Sequence, residues 1–261
     1  MIKSSTEPDN DAGPGNCDPK HKILVIGTYD TKLDELAFIE RTIRAQGGQV
    51  LTMDVSIIGD TVHAVDLGKH AVAAAGHSSI PALIALGEES AAMSAMAQGA
   101  ARLAADLAAR GEVQGMIALG GKMGTDLALD VALALPMGLP KYVVSTVAFS
   151  PVIPPDRLAP DVQMILWAGG LYGLNYICRA TLAQAAGAVL GAARAATPID
   201  DSLPLVGVTS LGNTCLSYIR LLKPALEQRG FSVAVFHSTG MGGRAFETLA
   251  SSGRFAVVFD L

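Results

Sequence analysis

The chain has 261 residues, 50% of them hydrophobic and only 16% charged, a composition that excludes a disordered or purely solvating protein over most of its length. Its 19 Lys and Arg against 24 Asp and Glu leave a formal charge of -5 without a basic block, so nucleic acid is not an expected partner. The long uncharged run Val162 to Cys178 falls short of a bilayer span and contains Gln163, Gly169, Gly170, Gly173 and Asn175, so no membrane partner is expected either.

Cys17, Cys178 and Cys215 are odd in number and far apart, which matches neither a disulfide framework nor paired zinc-ligand spacing. They read as reduced thiols of a cytoplasmic protein. Residues 1–21, with Pro8, Asp9, Asn10, Asp11, Gly13 and Pro14, lack the apolar core of a signal peptide and read as a disordered tail.

After the tail, Ile23 to Ile26 is an apolar, β-branched strand ended by Gly27. Leu33, Leu36, Ile39 and Ile43 then recur at helical spacing up to Gly47 and Gly48. A second strand, Gln49 to Met53, ends at Asp54 and completes a unit of the length of a parallel crossover. Met93, Met96, Ala100, Leu103 and Leu107 form a helical stripe that reads as core, with Gly111 as its C-terminal stop.

Strand Met116 to Leu119, helix Asp126 to Leu135 and strand Tyr142 to Ser145 continue the alternation of a doubly wound sheet. A stretch with Pro151, Pro154, Pro155 and Pro160 precedes strand Val162 to Trp167. A small-residue helix from Leu174 to Ala196 follows, with Ala183, Gly187 and Gly191 in a row that predicts close helix packing and a homodimer.

Thr197 to Asp201 reads as a linker, after which the pattern restarts: strand Leu205 to Val208, helix Cys215 to Gln228, strand Val233 to Phe236, helix Arg244 to Ala250 and strand Phe255 to Phe259. The interval from Thr28 to Gly48 is nearly that from Thr209 to Gly230, which suggests a repeated unit. The predicted class is α/β with two Rossmann-like halves of parallel sheet. Residues 22–197 form a first, nucleotide-binding subdomain, and residues 203–261 the start of a second. Three strands alone leave apolar faces uncovered, so the second half is expected to be truncated or completed by a partner.

Three glycine-bearing segments follow strand ends. In the first, Gly27, Thr28, Asp30, Thr31 and Lys32 offer a tight turn, hydroxyls and a cation where helix N-H groups favour an anion such as phosphate. Asp30 could hold a metal ion through water or cap the helix. Thr31 with Asp34 also fits a capping box. In the second, Gly120, Gly121, Lys122, Gly124 and Thr125 either let a ligand approach the backbone or serve a tight turn, and the spacing is not that of a Walker A loop. In the third, Gly240, Gly242 and Gly243 precede Arg244, which could fork onto a phosphate or carboxylate or stand in solvent. Asp54, closing its strand, and Ser145 and Thr146, at the end of theirs, are counted with the ligand crevice. His63, His70 and His77 are spaced by seven, which on a helix is about 10 Å between neighbours, so a shared metal ion is not expected.

Several of these segments carry a family resemblance. Gly27-Thr28-Tyr29-Asp30-Thr31-Lys32, Gly120-Gly121-Lys122-Met123-Gly124-Thr125, Leu135 to Lys141 with Val144 to Ala148, Gly173-Leu174-Asn175 and Phe236 to Arg244 occur in the order seen in a family of uncharacterised ATP-binding proteins. That family is related to the N-terminal domain of the tomato mosaic virus resistance protein. The resemblance runs from about Lys22 to Leu261 and implies two Rossmann-like subdomains, nucleotide binding with magnesium, and a second subdomain continuing past the position of Leu261. The family usually has Ser where Lys122 stands, and Ser150 to Asp161 is unlike its usual segment.

The expected function is therefore binding of a nucleotide, ATP with magnesium, at glycine-rich strand-to-helix loops. Two other readings stand beside it: an enzyme acting on a small phosphorylated or carboxylated metabolite clamped by Lys32, Lys122 or Arg244, and a nucleotide-dependent protein-interaction module.

Overall fold

The computed structural model describes residues 21–261, so the expected tail, apart from His21, and Cys17 lie outside the described residues. In chain order the first unit comprises β1 (Lys22–Gly27), α1 (Leu33–Ala45), β2 (Gln49–Asp54), α2 (Lys69–Ala75), α3 (Ile80–Ala85), α4 (Glu89–Ala109) and β3 (Gly115–Gly120). It continues through α5 (Lys122–Ala134), β4 (Lys141–Ser145), β5 (Val162–Leu166) and α6 (Tyr176–Ala195). The second unit holds β6 (Leu205–Ser210), α7 (Gly212–Glu227), β7 (Ser232–His237), α8 (Gly240–Ser251) and β8 (Val257–Phe259).

The strands of the first unit lie in the order β2-β1-β3-β4-β5, every neighbouring pair parallel. Successive side chains of β1 alternate between two apolar layers, as the pleat requires. Ile23 and Val25 pack with Leu36 and Ile39 of α1 and Leu182 and Val189 of α6, while Leu24 and Ile26 pack with Met96 and Ala100 of α4 and Val131 of α5. The Met stripe of α4 is thus core, as its spacing predicts. In α1, Asp34 and Glu35 in the first turn and Arg44 in the last oppose the charges of the helix dipole.

The fold class follows the sequence expectation, two Rossmann-like α/β halves with parallel sheets, but several boundaries do not. α5 begins at Lys122 rather than Asp126, α7 at Gly212 rather than Cys215, and α8 at Gly240 rather than Arg244. The glycine-rich segments read as loops are therefore mostly first helical turns. A glycine in a helix costs about 1 kcal/mol relative to Ala; here it permits close passage between strand and helix. A Cβ on Gly120 would stand 2.7 Å from the Gly124 Cα, and one on Gly242 2.7 Å from the His237 carbonyl oxygen.

α2 and α3 are too short to show a period. They separate the three histidines: His70 lies on α2, whereas His63 precedes it and His77, with φ 57°, follows it. α6 packs against α1 of the same chain through Leu182, Ala186 and Val189. The Ala183-Gly187-Gly191 row lies to one side of that contact, with Gly187 facing the Gln46 side chain and Gly191 open.

The second sheet has the parallel order β7-β6-β8. Val206 and Val208 of the central β6 are buried, while Val235 of β7 and Val257 and Val258 of β8 stand exposed. β8 starts at Val257, not Phe255, because Phe255 leaves the ladder to pack on Phe236 and Phe246, at ring distances of 5.9 and 5.2 Å.

Candidate functional site

The chain passes from β1 through α1 to β2 on one side, then returns across β1 to form β3 on the other. The carboxyl ends of β1 and β3 therefore diverge at a topological switch point, where open α/β sheets bind ligands. A cavity of about 940 Å³ opens there. Its floor is Gly27, Thr28, Asp30, Thr31 and Lys32 with Gly120 to Gly124; its apolar wall is Val55, Ile57, Leu83, Ala92 and Met93; Tyr172 stands at its edge.

Two helix N-termini reach this cavity. The N-cap of α1 is Lys32 and that of α5 is Gly121, and neither end has a side-chain cap, which leaves first-turn N-H groups without an intrahelical partner. Lys122 is exposed, and neither Lys32 nor Lys122 forms an ion pair among the described residues. A Cβ on Gly121 would have only the Thr146 hydroxyl near it, at 3.8 Å, so this backbone is open to approach in a way that Gly120 is not. Glu88 and Glu89 of the α4 start also line the cavity, as does Asp60, whose carboxylate is held below its usual range by its hydrogen bond and ion pair with Lys69 at 2.6 Å.

The loop after β1 is locked from below. The Lys32 N-H donates to the Thr28 carbonyl at 2.9 Å, and the Thr28 and Thr31 hydroxyls pair at 2.9 Å. Asp54 is buried and does not line the cavity; its Oδ1 accepts from the backbone N-H of Tyr29 at 3.1 Å and of Ser56 at 2.9 Å. The buried Tyr29 hydroxyl donates to Glu40 Oε1 at 3.0 Å, and burial, reinforced by the Glu40 charge, pushes that phenol far above its ordinary range. Glu40 also holds Arg44 at 2.9 Å and His63 at 3.2 Å, and the His63 ring stacks on Tyr29.

Asp30 lines the cavity, yet both its oxygens already accept bonds, Oδ1 from the Ser56 hydroxyl at 3.0 Å and Oδ2 from the Gly59 N-H at 3.1 Å. Among the described residues no group of three or more His, Cys, Asp or Glu could hold a metal ion.

The other candidate residues fall into two groups. Thr125 and Ser145 are buried behind the loop, their hydroxyls 2.7 Å apart, and Ser145 Oγ accepts from the Val147 N-H at 3.0 Å. Thr146 donates its N-H to the Gly120 carbonyl at 3.2 Å and thereby ties the end of β4 to the end of β3. Gly240, Gly242, Gly243 and Arg244 do not line the cavity; Arg244 pairs in solvent with Glu247 at 3.2 Å. The sequence reading missed the apolar wall, the segment Val55 to Asp60 and Tyr172. The one signal for the wall was the length of chain between Asp54 and Gly115, more than a single crossover helix needs.

These features define a doubly wound α/β protein with an anion-ready cavity at its strand ends. The chain belongs to UPF0261: residues 21–198 match the N-terminal domain and residues 203–261 the C-terminal domain of this uncharacterised protein family. A UPF0261 protein of Brucella suis biovar 1 is 55% identical over 239 residues, covering 92% of this chain and 57% of that protein, so the chain spans little more than half the length of this relative. The ToMV resistance protein Tm-1(GCR237) of Solanum lycopersicum is 30% identical, covering 92% of this chain and 34% of its own. Among solved structures, Acinetobacter baumannii MurG aligns over 93% of this chain and 66% of its own at 14% identity with a TM-score of 0.28, and this carries no argument about ligand. No helix among the described residues is long and apolar enough to cross a membrane.

Proposed function

We propose that the chain binds a nucleoside triphosphate of the ATP class, together with magnesium, in the cavity above β1 and β3. The observation that carries this reading is that two uncapped helix N-termini, each bearing a lysine, line the same cavity as the apolar Val55, Ile57, Leu83, Ala92 and Met93. The N-H groups of α1 and α5 with Lys32 and Lys122 meet the phosphates, as helix dipoles and charge-assisted hydrogen bonds favour. Val55, Ile57, Leu83 and Met93 offer the base an apolar surface. The cavity volume lies in the range of small-molecule sites.

A thermal-shift screen of nucleotides and phosphorylated or carboxylated metabolites, with and without magnesium, tests this, because a ligand that binds only the native state raises the melting temperature. ATP with magnesium is expected to stabilise the chain. The double variant Lys32→Ala, Gly121→Asp is expected to lose most of that shift, since it removes a cation and places a carboxylate where phosphate approaches. Undiminished ATP affinity in the folded double variant rejects the site. A shift with a phosphorylated metabolite and none with ATP replaces the nucleotide by that class.

A further inference from the structure

Tyr172 is 93% exposed, yet it is not on a loose loop. On one side the buried Trp167 donates its Nε1-H to the Gly170 carbonyl at 3.0 Å. On the other, Gly173, at φ 88°, donates its N-H at 2.9 Å to Oε1 of Glu35, a buried carboxylate in the first turn of α1. Asn175 then caps α6 by accepting from the N-H groups of Ile177 and Cys178 at 3.0 and 2.9 Å. Gly170 leaves room for the ring, since a Cβ there would stand 2.6 Å from Tyr172 Cδ2. Hydrophobic burial does not explain an aromatic ring held in solvent by anchors on both sides. What the ring does touch is a cation: Lys32 Nζ lies 5.1 Å from its centroid, at the edge of the cavity.

We propose that Tyr172 is a positioning residue for the nucleotide site, holding the Lys32 ammonium at the cavity mouth where a ligand phosphate arrives. The inference rests on the nucleotide reading above and adds the element that orients its cation. A lysine has a flexible four-carbon stem and a compact charge, so confining it before binding lowers the ordering cost met on binding. The ring quadrupole supplies an attraction without neutralising the charge, which a carboxylate partner would do. Glu35 makes the arrangement local to the site, because one turn of α1 carries both the cation and the anchor of the loop that parks it.

Calorimetric titration of ATP, inorganic triphosphate and adenosine into the unaltered chain, Tyr172→Ala, Tyr172→Phe, Lys32→Ala and the Lys32→Ala, Tyr172→Ala double variant tests the proposal. Tyr172→Ala is expected to weaken ATP and triphosphate by about two- to five-fold, the range of an exposed cation-π contact. It leaves adenosine unchanged, and Tyr172→Phe, which keeps the ring, restores binding. In the Lys32→Ala background Tyr172→Ala has no further effect. Equal losses for adenosine and ATP would make the ring a base platform and overturn the role given to it, as would independent, additive losses from Tyr172→Ala and Lys32→Ala. Unchanged ATP binding by Tyr172→Ala also overturns it. Absence of ATP and triphosphate binding by the unaltered chain overturns the nucleotide reading itself, and this inference with it.

Discussion

The backbone N-H of Gly59 donates to Oδ2 of Asp30 at 3.1 Å, and a Cβ on Gly59 would stand 2.7 Å from the Asp30 Cβ. This contact pins the segment after β2 to the loop after β1, and both line the cavity. Gly59→Ala is therefore expected to push the two segments apart, with a stability loss of about 1–3 kcal/mol, the usual cost of overpacking. Thermal unfolding measures the loss, and a melting temperature equal to that of the unaltered chain would show that the segment shifts freely.

Gly120 and Gly121 are neighbours with opposite expectations. A side chain on Gly120 meets the backbone of Gly124 at 2.7 Å, so Gly120→Ala should disturb the α5 start and destabilise the fold. Gly121→Ala meets nothing closer than 3.8 Å, so its melting temperature should stay within about 0.5 kcal/mol equivalent of the unaltered chain while nucleotide affinity falls. Denaturation midpoints and ATP titration of the two variants separate a structural glycine from a ligand-facing one.

Tyr29 gives the molecule a signature in alkali. Its phenol is raised far above the ordinary value of 10.0 by burial and then by Glu40, so the contribution is fully present below pH 10 and is lost as pH rises beyond it, where the unfolded chain ionises and the folded chain does not. Each pH unit above 10 should cost about 1.4 kcal/mol from this residue. Tyr29→Phe removes that slope, although it leaves Glu40 short of a donor and lowers stability at neutral pH by about 1–3 kcal/mol. Chemical denaturation between pH 9 and 11 distinguishes the two; parallel pH profiles for both chains would show that Tyr29 ionises while folded.

The second sheet should yield to protease first. Both β7 and β8 are edge strands with exposed valines, and β6 is the one strand of this sheet, among the described residues, that is flanked on both sides. Limited proteolysis is expected to cut after Thr197 while residues 22–196 persist. Equal protection of residues 205–261 in a monomer would show that the smaller sheet is as stable as the larger.

Local patterning carried most of the fold. The β-branched run Ile23 to Ile26 is a strand because neighbouring side chains must bury on both faces, and Leu36, Ile39 and Ile43 mark α1 because they share one helical side. The same local rules placed Gly27 to Lys32 and Gly120 to Gly124 at strand ends, where all of them but the buried Tyr29 line one cavity. Local pattern could not say which way a polar side chain turns. Starting α5 at Lys122 carries Thr125 inward to Ser145, and the tie from Asp54 to Tyr29 and Ser56 buries a carboxylate counted with the ligand crevice.

Sheet order lay beyond local pattern altogether. The return of the chain across β1 to form β3 brings Lys32 and Lys122 to one cavity, and the long excursion from β2 through α2 to α4 adds Val55, Leu83 and Met93 to its lining. It also takes the loop after β5 to bring Tyr172 against Lys32. Periodicity reports which face of an element is buried, because burial is set by neighbours along the chain. Which elements share a cavity depends on contacts between residues far apart in sequence, and those are decided by the packing of the whole sheet.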